Sequence, residues 1–523
     1  MGRQEWLAFG LLIWGLGGQL LAWSLGVGDN LHSQCSFTRY PDLCVETMLG
    51  SGLGHGNIDI VSALVKKSMD ETKFPTPDSS NPLYDTDSLK AQHSNDGHCL
   101  ELMNMSLKRL NQSLLALKSS HSTTKRKNDI QTWLSAALTF QETCRDSLEG
   151  LSGSLVDQIS SKMDYLSRLT SNALALANRF LSNPRNNSSR HLTSMDDFPK
   201  WVSARDRKLL QSTEIKANAV VAKDGSGNYK TISEAIEAAS GGRFVIYVKS
   251  GTYKEAISTN KDGITLIGDG KYSTIIVGDD SVGGGSSLRG SATFAITGDG
   301  FMARDIGFQN TAGPQAQQAV ALNVVSDRSV LYRCSIAGYQ DTLYAHALRQ
   351  FYRECDIYGT VDFIFGNAIA VFQNCFLALR RHSGSYNVIL ANGRSDPGQN
   401  TGFSIQNCKI SVASDSASVK HSSSSYLGRP WKEYSRAVVM QSYIDDVIAP
   451  RGWIEWSGNF ALKTLYFAEY NNLGPAAGTS NRVQWPGYHV IGADEATKFT
   501  VANFIGGNSW LPSTGVNFDA GLG

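Results

Sequence analysis

The sequence predicts an all-β domain, a right-handed parallel β-helix, preceded by an all-α four-helix bundle. Segments with a central cysteine recur at Cys334, Cys355 and Cys375, at intervals of 21 and 20 residues, and a further copy surrounds Cys408. Short β-branched and aromatic runs that end at Gly or Asn fill these repeats, which is typical of stacked solenoid coils. Residues 31–180 instead show helical periodicity and contain few glycines.

Composition excludes several classes of function. The chain has 523 residues, 41% of them hydrophobic, and a formal net charge of +1. Such a length predicts either two to four domains or a large solenoid together with one further domain. The balanced charge gives no electrostatic basis for binding nucleic acid or an anionic membrane.

Residues 1–28 combine Arg3 with a long apolar run, which predicts a secretory signal peptide. The alternative is a membrane anchor, since the run is close to spanning length, but no basic cluster follows it. Eight cysteines, four in each half, suit an oxidising compartment, and secretion is therefore expected. Sequons for N-glycosylation occur at Asn104, Asn111, Asn186 and Asn187.

Residues 29–185 are predicted to form a helical domain. Apolar residues recur at helical spacing, for example at Met103, Leu107 and Leu110, and indicate at least four amphipathic helices. The domain contains Cys35, Cys44, Cys99 and Cys144. Pairing of the first two and of the last two is favoured, although four cysteines allow three arrangements.

Residues 186–215 are polar and aperiodic, which indicates an exposed linker. The segment Arg207-Lys208-Leu209-Leu210 within it is a candidate processing site. A dibasic pair in a solvated linker is the alternative interpretation.

Residues 216–523 are predicted to form the β-helix. AVVAKDG starts the strands, YKTISEAIEAA is a capping helix, and alternating runs ended by Gly, Asn or Asp build the coils. The tail after residue 488 should pack helices along the solenoid. Cys334 and Cys355, in adjacent coils, are predicted to form a disulfide, whereas Cys375 and Cys408 could pair or remain thiols.

Two aspartates occupy equivalent places in neighbouring coils. Asp341 follows Cys334 by seven residues, and Asp362 follows Cys355 by seven. Since adjacent strands lie about 4.8 Å apart, the carboxyl groups should stack, one pKa rising while the other stays low. A solvated Asp ladder is the alternative, but aromatic neighbours make idle buried charges costly. No GxSxG or HExxH motif occurs, so carboxylate chemistry is the remaining route to hydrolysis.

Several segments resemble the signatures of plant pectin methylesterases, in that family's order. They are GTYKE at 251–255, NTAGP at 310–314 followed by QQAVAL, GYQDTLY, GTVDFIFGN and LGRPW at 427–431. The helical region resembles the pectin methylesterase inhibitor domain, and the dibasic segment resembles the site where such a pro-region is released. The resemblance implies a secreted cell-wall enzyme that removes methyl esters from homogalacturonan, without metal or cofactor.

The resemblance also implies roles for individual residues. Asp362 would be the nucleophile and Asp341 the acid and base, while Gln318 and Gln340 would stabilise the oxyanion. Arg429 would hold Asp362 ionised, and Trp431 would stack on sugar. Candidates for lining the groove are Tyr344, Phe365 and Trp453. The sequence departs from the family at Leu288, where a threonine that contacts substrate is usual.

Further partners follow from the same resemblance. A separate inhibitor protein and a processing protease would act on the chain, and the enzyme is expected to be a monomer. Two other functions compete. One is a pectin lyase or glycosidase on the same fold, of which the lyase would need a Ca²⁺-binding carboxylate cluster and a basic proton abstractor. The other is a polysaccharide-binding protein without catalysis. Methanol release distinguishes the esterase from both.

Overall fold

The computed structural model describes residues 31–51, 56–72, 96–118, 124–181, 216–380, 384, 386–414, 416 and 424–523. It contains two compact units, one helical and one built of strands, which are described separately. The predicted signal peptide, the linker with its candidate processing site, Asn186 and Asn187 lie outside the described residues. Within the described part of the chain, no helix has both the length and the apolarity needed to cross a membrane.

The helical unit is a four-helix bundle with a short helix added. Its helices are α1 (Pro41–Ser51), α2 (Asn57–Thr72), α3 (Asp96–Lys118), α4 (Thr124–Ser147) and α5 (Ser154–Phe180). Helices α2, α3, α4 and α5 contact one another in a closed ring, and their apolar faces form one core. The predicted apolar positions Met103 and Leu110 of α3 are fully buried, which explains why α3 depends on the bundle for its stability.

Two disulfides fasten this bundle. Cys35 is joined to Cys44, which ties the segment before α1 to that helix, and Cys99 is joined to Cys144, which links α3 to α4. Asn172 of α5 also holds the backbone of Tyr40, accepting its N–H at 3.0 Å and donating to its carbonyl at 2.8 Å. The N-terminal segment is therefore anchored to both α1 and α5.

The second unit is a parallel β-helix of three sheets. Sheet A contains β1 (Ala219–Val221), β2 (Phe244–Val248), β5 (Ile264–Gly268), β8 (Met302–Arg304), β11 (Ser329–Tyr332), β14 (Arg349–Arg353), β17 (Ile369–Gln373), β20 (Gly402–Gln406), β23 (Arg436–Met440), β25 (Tyr466–Tyr470) and β26 (Tyr488–Val490). Sheet B contains β3 (Gly251–Lys254), β6 (Thr274–Gly278), β9 (Gly307–Asn310), β12 (Ser335–Ala337), β15 (Asp356–Gly359), β18 (Phe376–Leu379), β21 (Lys409–Val412) and β24 (Tyr443–Ile444). Sheet C contains β4 (Ile257–Thr259), β7 (Phe294–Ile296), β10 (Leu322–Val324), β13 (Leu343–Ala345), β16 (Ile364–Gly366), β19 (Tyr386–Asn392) and β22 (Ser424–Pro430).

Each coil of the solenoid runs from sheet A through sheet B to sheet C. Along sheet B the central residues Phe308, Ile336, Ile357 and Leu377 face the interior and are fully buried, because alternate residues of a strand point to opposite faces. The residues on either side of them form the outer face. Stacking the coils in parallel register therefore builds one continuous apolar core and leaves three outer faces.

The corner between sheets A and B repeats a left-handed residue. Arg333, Glu354, Asn374 and Asn407 have φ between 51° and 56°, and each directly precedes a repeat cysteine. This conformation is unusual for residues other than glycine, so the stacked coils must hold it. It turns the next side chain inward, which places the four cysteine side chains in a column inside the core.

The predicted disulfide between Cys334 and Cys355 is wrong. Cys334, Cys355, Cys375 and Cys408 are all buried free thiols. The thiols instead contact backbone carbonyls, as Cys355 Sγ does with Leu331 O at 3.4 Å and Cys408 Sγ with Phe372 O at 3.4 Å. Register brings the backbones close enough, but the side-chain directions do not give disulfide geometry.

Short helical segments cover parts of the solenoid. The helix α6 (Ile232–Glu237) packs on β1 and β2 and begins at a capping box made by Thr231 and Glu234. The tail contains α7 (Ala493–Thr497), α8 (Val501–Phe504) and 3₁₀ turns at Gly507–Ser509 and Leu511–Thr514. The tail packs on the outer face of sheet A.

Candidate active site

The two predicted aspartates lie at the corner where sheet B turns into sheet C. Asp341 precedes β13 and Asp362 precedes β16, and these strands pair with Leu343 opposite Ile364. The Asp341 N–H donates to the Val361 carbonyl at 3.0 Å, so the two turns are joined directly. Both aspartates have left-handed backbones, with φ of 60° and 50°. The chain therefore places the two carboxyl groups at the same point of adjacent coils.

Both carboxyl groups are buried, at 8% exposure for Asp341 and 5% for Asp362. Burial and the neighbouring charge of Asp362 raise the pKa of Asp341 well above its usual range. Burial also raises the pKa of Asp362, against the opposing effect of the Arg429 guanidinium. The prediction that one carboxyl keeps a low pKa is wrong, although the hydrogen bonds from Arg429 oppose the rise in pKa at Asp362.

Arg429 forms a two-point ion pair with Asp362. Its Nε donates to Oδ1 at 2.9 Å, and its Nη2 donates to Oδ2 at 2.6 Å. Arg429 lies on β22, and its Nη1 also donates to the Tyr386 hydroxyl of β19 at 3.1 Å. The guanidinium carbon lies 4.3 Å from the centre of the Trp456 ring. The nucleophile candidate is thus fixed in orientation by an arginine that is itself held from two sides.

Gln318 and Gln340 occupy the loops in front of this ion pair. The Ala319 N–H donates to the Gln340 carbonyl at 3.2 Å, so the two glutamines belong to adjacent coils. Both are half-buried, and no hydrogen bond to either side-chain amide is found within the described residues. Their N–H groups are therefore available to a ligand.

Aromatic rings cover the outer face of sheet C. Tyr344 and Phe365 stack with ring centres 4.3 Å apart, and each is 3% exposed, so they form a floor with little open surface. Trp431 is half-buried and meets Phe365 edge-on at 6.0 Å. Leu288 packs against the same cluster. The residue that departs from the family pattern therefore belongs to this apolar floor.

The prediction that Trp453 lines the groove is wrong. Trp453 is fully buried, stacks on Phe467 at 4.4 Å and donates its indole N–H to Glu469 at 3.1 Å. The exposed tryptophan beside Arg429 is Trp456, three positions later, which is 38% exposed. Sequence reasoning missed Trp456 and also Tyr386. The WIEW segment offered two tryptophans, and only the fold decides which of them points inward.

A search for groups of three or more His, Cys, Asp or Glu side chains suited to a metal ion finds none among the described residues. The geometry brings together two buried carboxyl groups, one of them paired with an arginine, and two side-chain amides. This combination can carry out acyl transfer at an ester carbonyl.

The two units match two different families. Residues 218–508 match the family model described as pectinesterase, and residues 29–176 match the one described as plant invertase/pectin methylesterase inhibitor. A probable pectinesterase/pectinesterase inhibitor of Arabidopsis thaliana, numbered 54, is 48% identical over 492 residues, which is 90% of this chain and 89% of the relative.

Two further proteins are similar to the chain. Pectinesterase 2 of Citrus sinensis is 53% identical over 428 residues, 81% of each chain. The solved structure of the pectin methylesterase from carrot is 53% identical, with a TM-score of 0.58, and covers 60% of this chain and 100% of that one. The matches to the Arabidopsis thaliana and Citrus sinensis relatives cover 90% and 81% of this chain and so extend beyond the strand-built unit.

Proposed function

The chain belongs to the pectinesterase family, with an inhibitor-like region ahead of the esterase region, and we propose that its Asp341–Asp362 pair performs the ester hydrolysis. The substrate is methyl-esterified homogalacturonan, and the products are methanol and de-esterified pectin. The observation that carries this assignment is the two-point ion pair of Asp362 with Arg429, one coil from a carboxyl group whose pKa is raised further.

In the first step, an Asp362 oxygen attacks the carbonyl carbon of a galacturonate methyl ester. Negative charge develops on the carbonyl oxygen, and the side-chain amides of Gln318 and Gln340 donate to it. Neutral amides suit this task, because a cation there would compete with Arg429 for the nucleophile. The carbon–oxygen bond to the methoxy group then breaks, and protonated Asp341 donates its proton to form methanol. A covalent anhydride with Asp362 remains.

In the second step, the Asp341 carboxylate accepts a proton from a water molecule that attacks the same carbonyl carbon. The bond to Asp362 breaks, which releases the galacturonate carboxyl group and restores both aspartates. Asp341 acts as an acid in the first step and as a base in the second. Its buried position favours the neutral form of the carboxyl group, which is the form that the first step needs.

Arg429 keeps Asp362 ionised and aimed at the ester. Burial alone would favour the neutral acid, and two charge-assisted hydrogen bonds oppose that effect. Tyr386 and Trp456 orient the guanidinium and are positioning residues. Trp431 provides the sugar-stacking face, while Tyr344 and Phe365 support it from below.

The test is methanol release from methylated pectin. Asp362→Asn should lower the rate by at least about 1,000-fold, because the nucleophile is lost. The matched control is Asp327→Asn, which alters another buried Asp–Arg pair of the β-helix and should leave the rate per folded molecule unchanged. A chelator should also leave the wild-type rate unchanged. Full methanol release by Asp362→Asn would overturn the assignment.

The helical region supplies a second proposal, on regulation. The helical region is an inhibitor-like pro-region that limits the esterase until a protease cuts at residues 207–210, and a separate inhibitor protein can act on the released enzyme.

We propose secretion to the cell wall, supported by the two disulfides, which form in oxidising compartments. Asn104 and Asn111 are exposed on one stripe of α3, as glycan acceptors require. Methanol release by the intact chain before and after cleavage tests the pro-region.

A further inference from the structure

A cavity of about 170 Å³ opens on the outer face of sheet B. Its walls are Lys271, Tyr272, Gln309, Ser335, Tyr358 and Arg380. Gln309, Ser335 and Tyr358 alternate along their strands with buried core residues, and the other three wall residues lie just outside strands, so the cavity belongs to the surface of the solenoid. None of the residues in the proposed mechanism lines it.

Small residues create the space. In register across sheet B, Gly307 and Ser335 stand between Ile275 and Asp356, and Ala337 stands beside Tyr358. Tyr272, in the turn before β6, spans these small residues and hydrogen-bonds Asp356 and, at 2.8 Å, the Tyr358 hydroxyl. The result is a cavity with a small-residue floor, which Tyr272 crosses to reach Tyr358.

The cavity carries more positive than negative charge. Lys271 Nζ lies 2.7 Å from Asp356 Oδ2, while the Arg380 guanidinium lies 4.2 Å from the centre of the Tyr339 ring and donates to the Gly338 carbonyl at 3.1 Å. Two cations thus face one carboxylate. Aromatic rings beside cations and hydroxyl groups are a combination that binds an acidic sugar, whose ring is apolar on its faces and whose carboxylate seeks a cation.

We propose that this cavity binds one uronate unit of an acidic polysaccharide, as a second site separate from the site of hydrolysis. The identification of that polysaccharide as de-esterified homogalacturonan rests on the proposed function, since this polymer is its product. Tyr339, which stacks with Arg380, lies two residues before Asp341, so the cavity adjoins the corner that carries the aspartates. A product segment held here raises the local concentration of the rest of the same polymer.

Charge selectivity provides the first test. Binding of trigalacturonate to the intact chain is measured by titration calorimetry, beside the fully methyl-esterified trisaccharide. Lys271→Ala should weaken or abolish one class of trigalacturonate sites, by at least tenfold in dissociation constant. Lys463→Ala, an exposed lysine of the same unit outside the cavity, should have no effect. The methyl ester should not distinguish Lys271→Ala from the wild type.

A change of opposite sign makes the test independent of misfolding. Asp356→Asn removes the carboxylate that competes for Lys271, so it should tighten the same class of sites. Ala337→Leu fills the floor without touching either cation and should weaken it. Unchanged trigalacturonate binding in Lys271→Ala and Ala337→Leu, or weaker binding in Asp356→Asn, would overturn the proposal.

Methanol release separates this proposal from the proposed function. Lys271→Ala should keep the wild-type rate on short methyl-esterified oligomers and should lose rate on long, partly de-esterified pectin. If the wild-type chain released no methanol even after cleavage at residues 207–210, while the three variants still changed trigalacturonate binding as expected, the proposed function would fail and the second site would stand. If the wild-type chain released methanol and the variants had no effect on trigalacturonate binding, the second site would fail and the proposed function would stand.

Discussion

The β-helix holds two buried Asp–Arg pairs of nearly the same geometry. In both, arginine Nη2 lies 2.6 Å from aspartate Oδ2 and Nε lies 2.9 Å from Oδ1. In the pair of Asp327 with Arg349, Asp327 also accepts the Arg349 backbone N–H at 3.3 Å, and both side chains are at most 7% exposed. In the other pair, Arg429 is 14% exposed and Asp362 interacts with a second carboxyl, Asp341.

The difference teaches that a buried ion pair by itself does not make a site of chemistry. Breaking either pair leaves an uncompensated charge and costs stability. The pair with Asp362 differs in having a second buried carboxyl, Asp341, at the same corner of the adjacent coil. A loss that is equal when either pair is substituted therefore reports on folding. A loss of methanol release that occurs only when the Asp362–Arg429 pair is substituted reports on hydrolysis.

The largest effect is expected from Asp341→Asn. The variant keeps the size of the side chain but has no proton to give to methanol and cannot accept one from water. Methanol release should fall by about 100- to 10,000-fold. The rate is measured beside Asp327→Asn, and equal losses in the two variants would remove the distinction between the pairs.

The next largest effect is expected when the arginine of each pair is replaced, one at a time, by lysine. Lysine cannot make two parallel hydrogen bonds to a carboxylate. Arg429→Lys should lower kcat by about 10- to 100-fold, because a misaimed nucleophile is costly. Arg349→Lys should lower the unfolding midpoint and keep kcat. Loss of kcat in Arg349→Lys at full folding would contradict the comparison.

The pH dependence of the unfolding free energy should differ between Asp341→Asn and the wild type. Burial and Asp362 raise the folded-state pKa of Asp341 above its unfolded value of about 3.9, so the folded chain binds this proton more tightly. The stability from this carboxyl is present below that unfolded value and is lost as pH rises through the folded-state pKa. Relative to wild type, Asp341→Asn should therefore gain unfolding free energy as pH rises above about 4. Urea unfolding at a series of pH values measures this, and a gain that shrinks with rising pH would refute the raised pKa.

The smallest effect is expected from Tyr386→Phe. It removes the hydroxyl that accepts from Arg429 Nη1, a bond worth about 1 kcal/mol, so kcat should fall by roughly 2- to 10-fold with little change in KM. Tyr426, whose ring meets that of Tyr386 at 6.2 Å, provides the control. Tyr426→Phe should leave kcat unchanged, and an equal fall in both variants would assign the effect to packing.

The sequence predicted the architecture and the meeting of the two aspartates because register alone determines both. A repeat of about 20 residues fixes which residues stack, and seven positions after each repeat cysteine the chain returns to the same corner. The register does not determine which way a side chain points, so properties that depend on side-chain direction could not be predicted from it. Cys334 and Cys355 stack as predicted, yet their thiols turn to carbonyls, and Trp453 turns inward while Trp456 faces Arg429.

The cavity on sheet B could not be predicted for a different reason. It arises where Gly307 and Ala337 are small and Tyr272 extends over them, and these residues are far apart in the chain. No single segment of the chain carries a sequence motif that indicates this cavity. Such a surface becomes visible only when the coils are assembled.

The cysteine column has a consequence for biosynthesis. The helical unit needs an oxidising environment for Cys35–Cys44 and Cys99–Cys144, yet the same environment threatens the four reduced sulfurs of the solenoid. Burial raises the pKa of the Cys334, Cys355 and Cys375 thiols, so the reactive thiolate is scarce once the coils have closed. The hazard is confined to the nascent polypeptide, in which a premature crosslink between repeats would lock coils out of register, and the order of sulfur burial and oxidation decides the yield of mature enzyme.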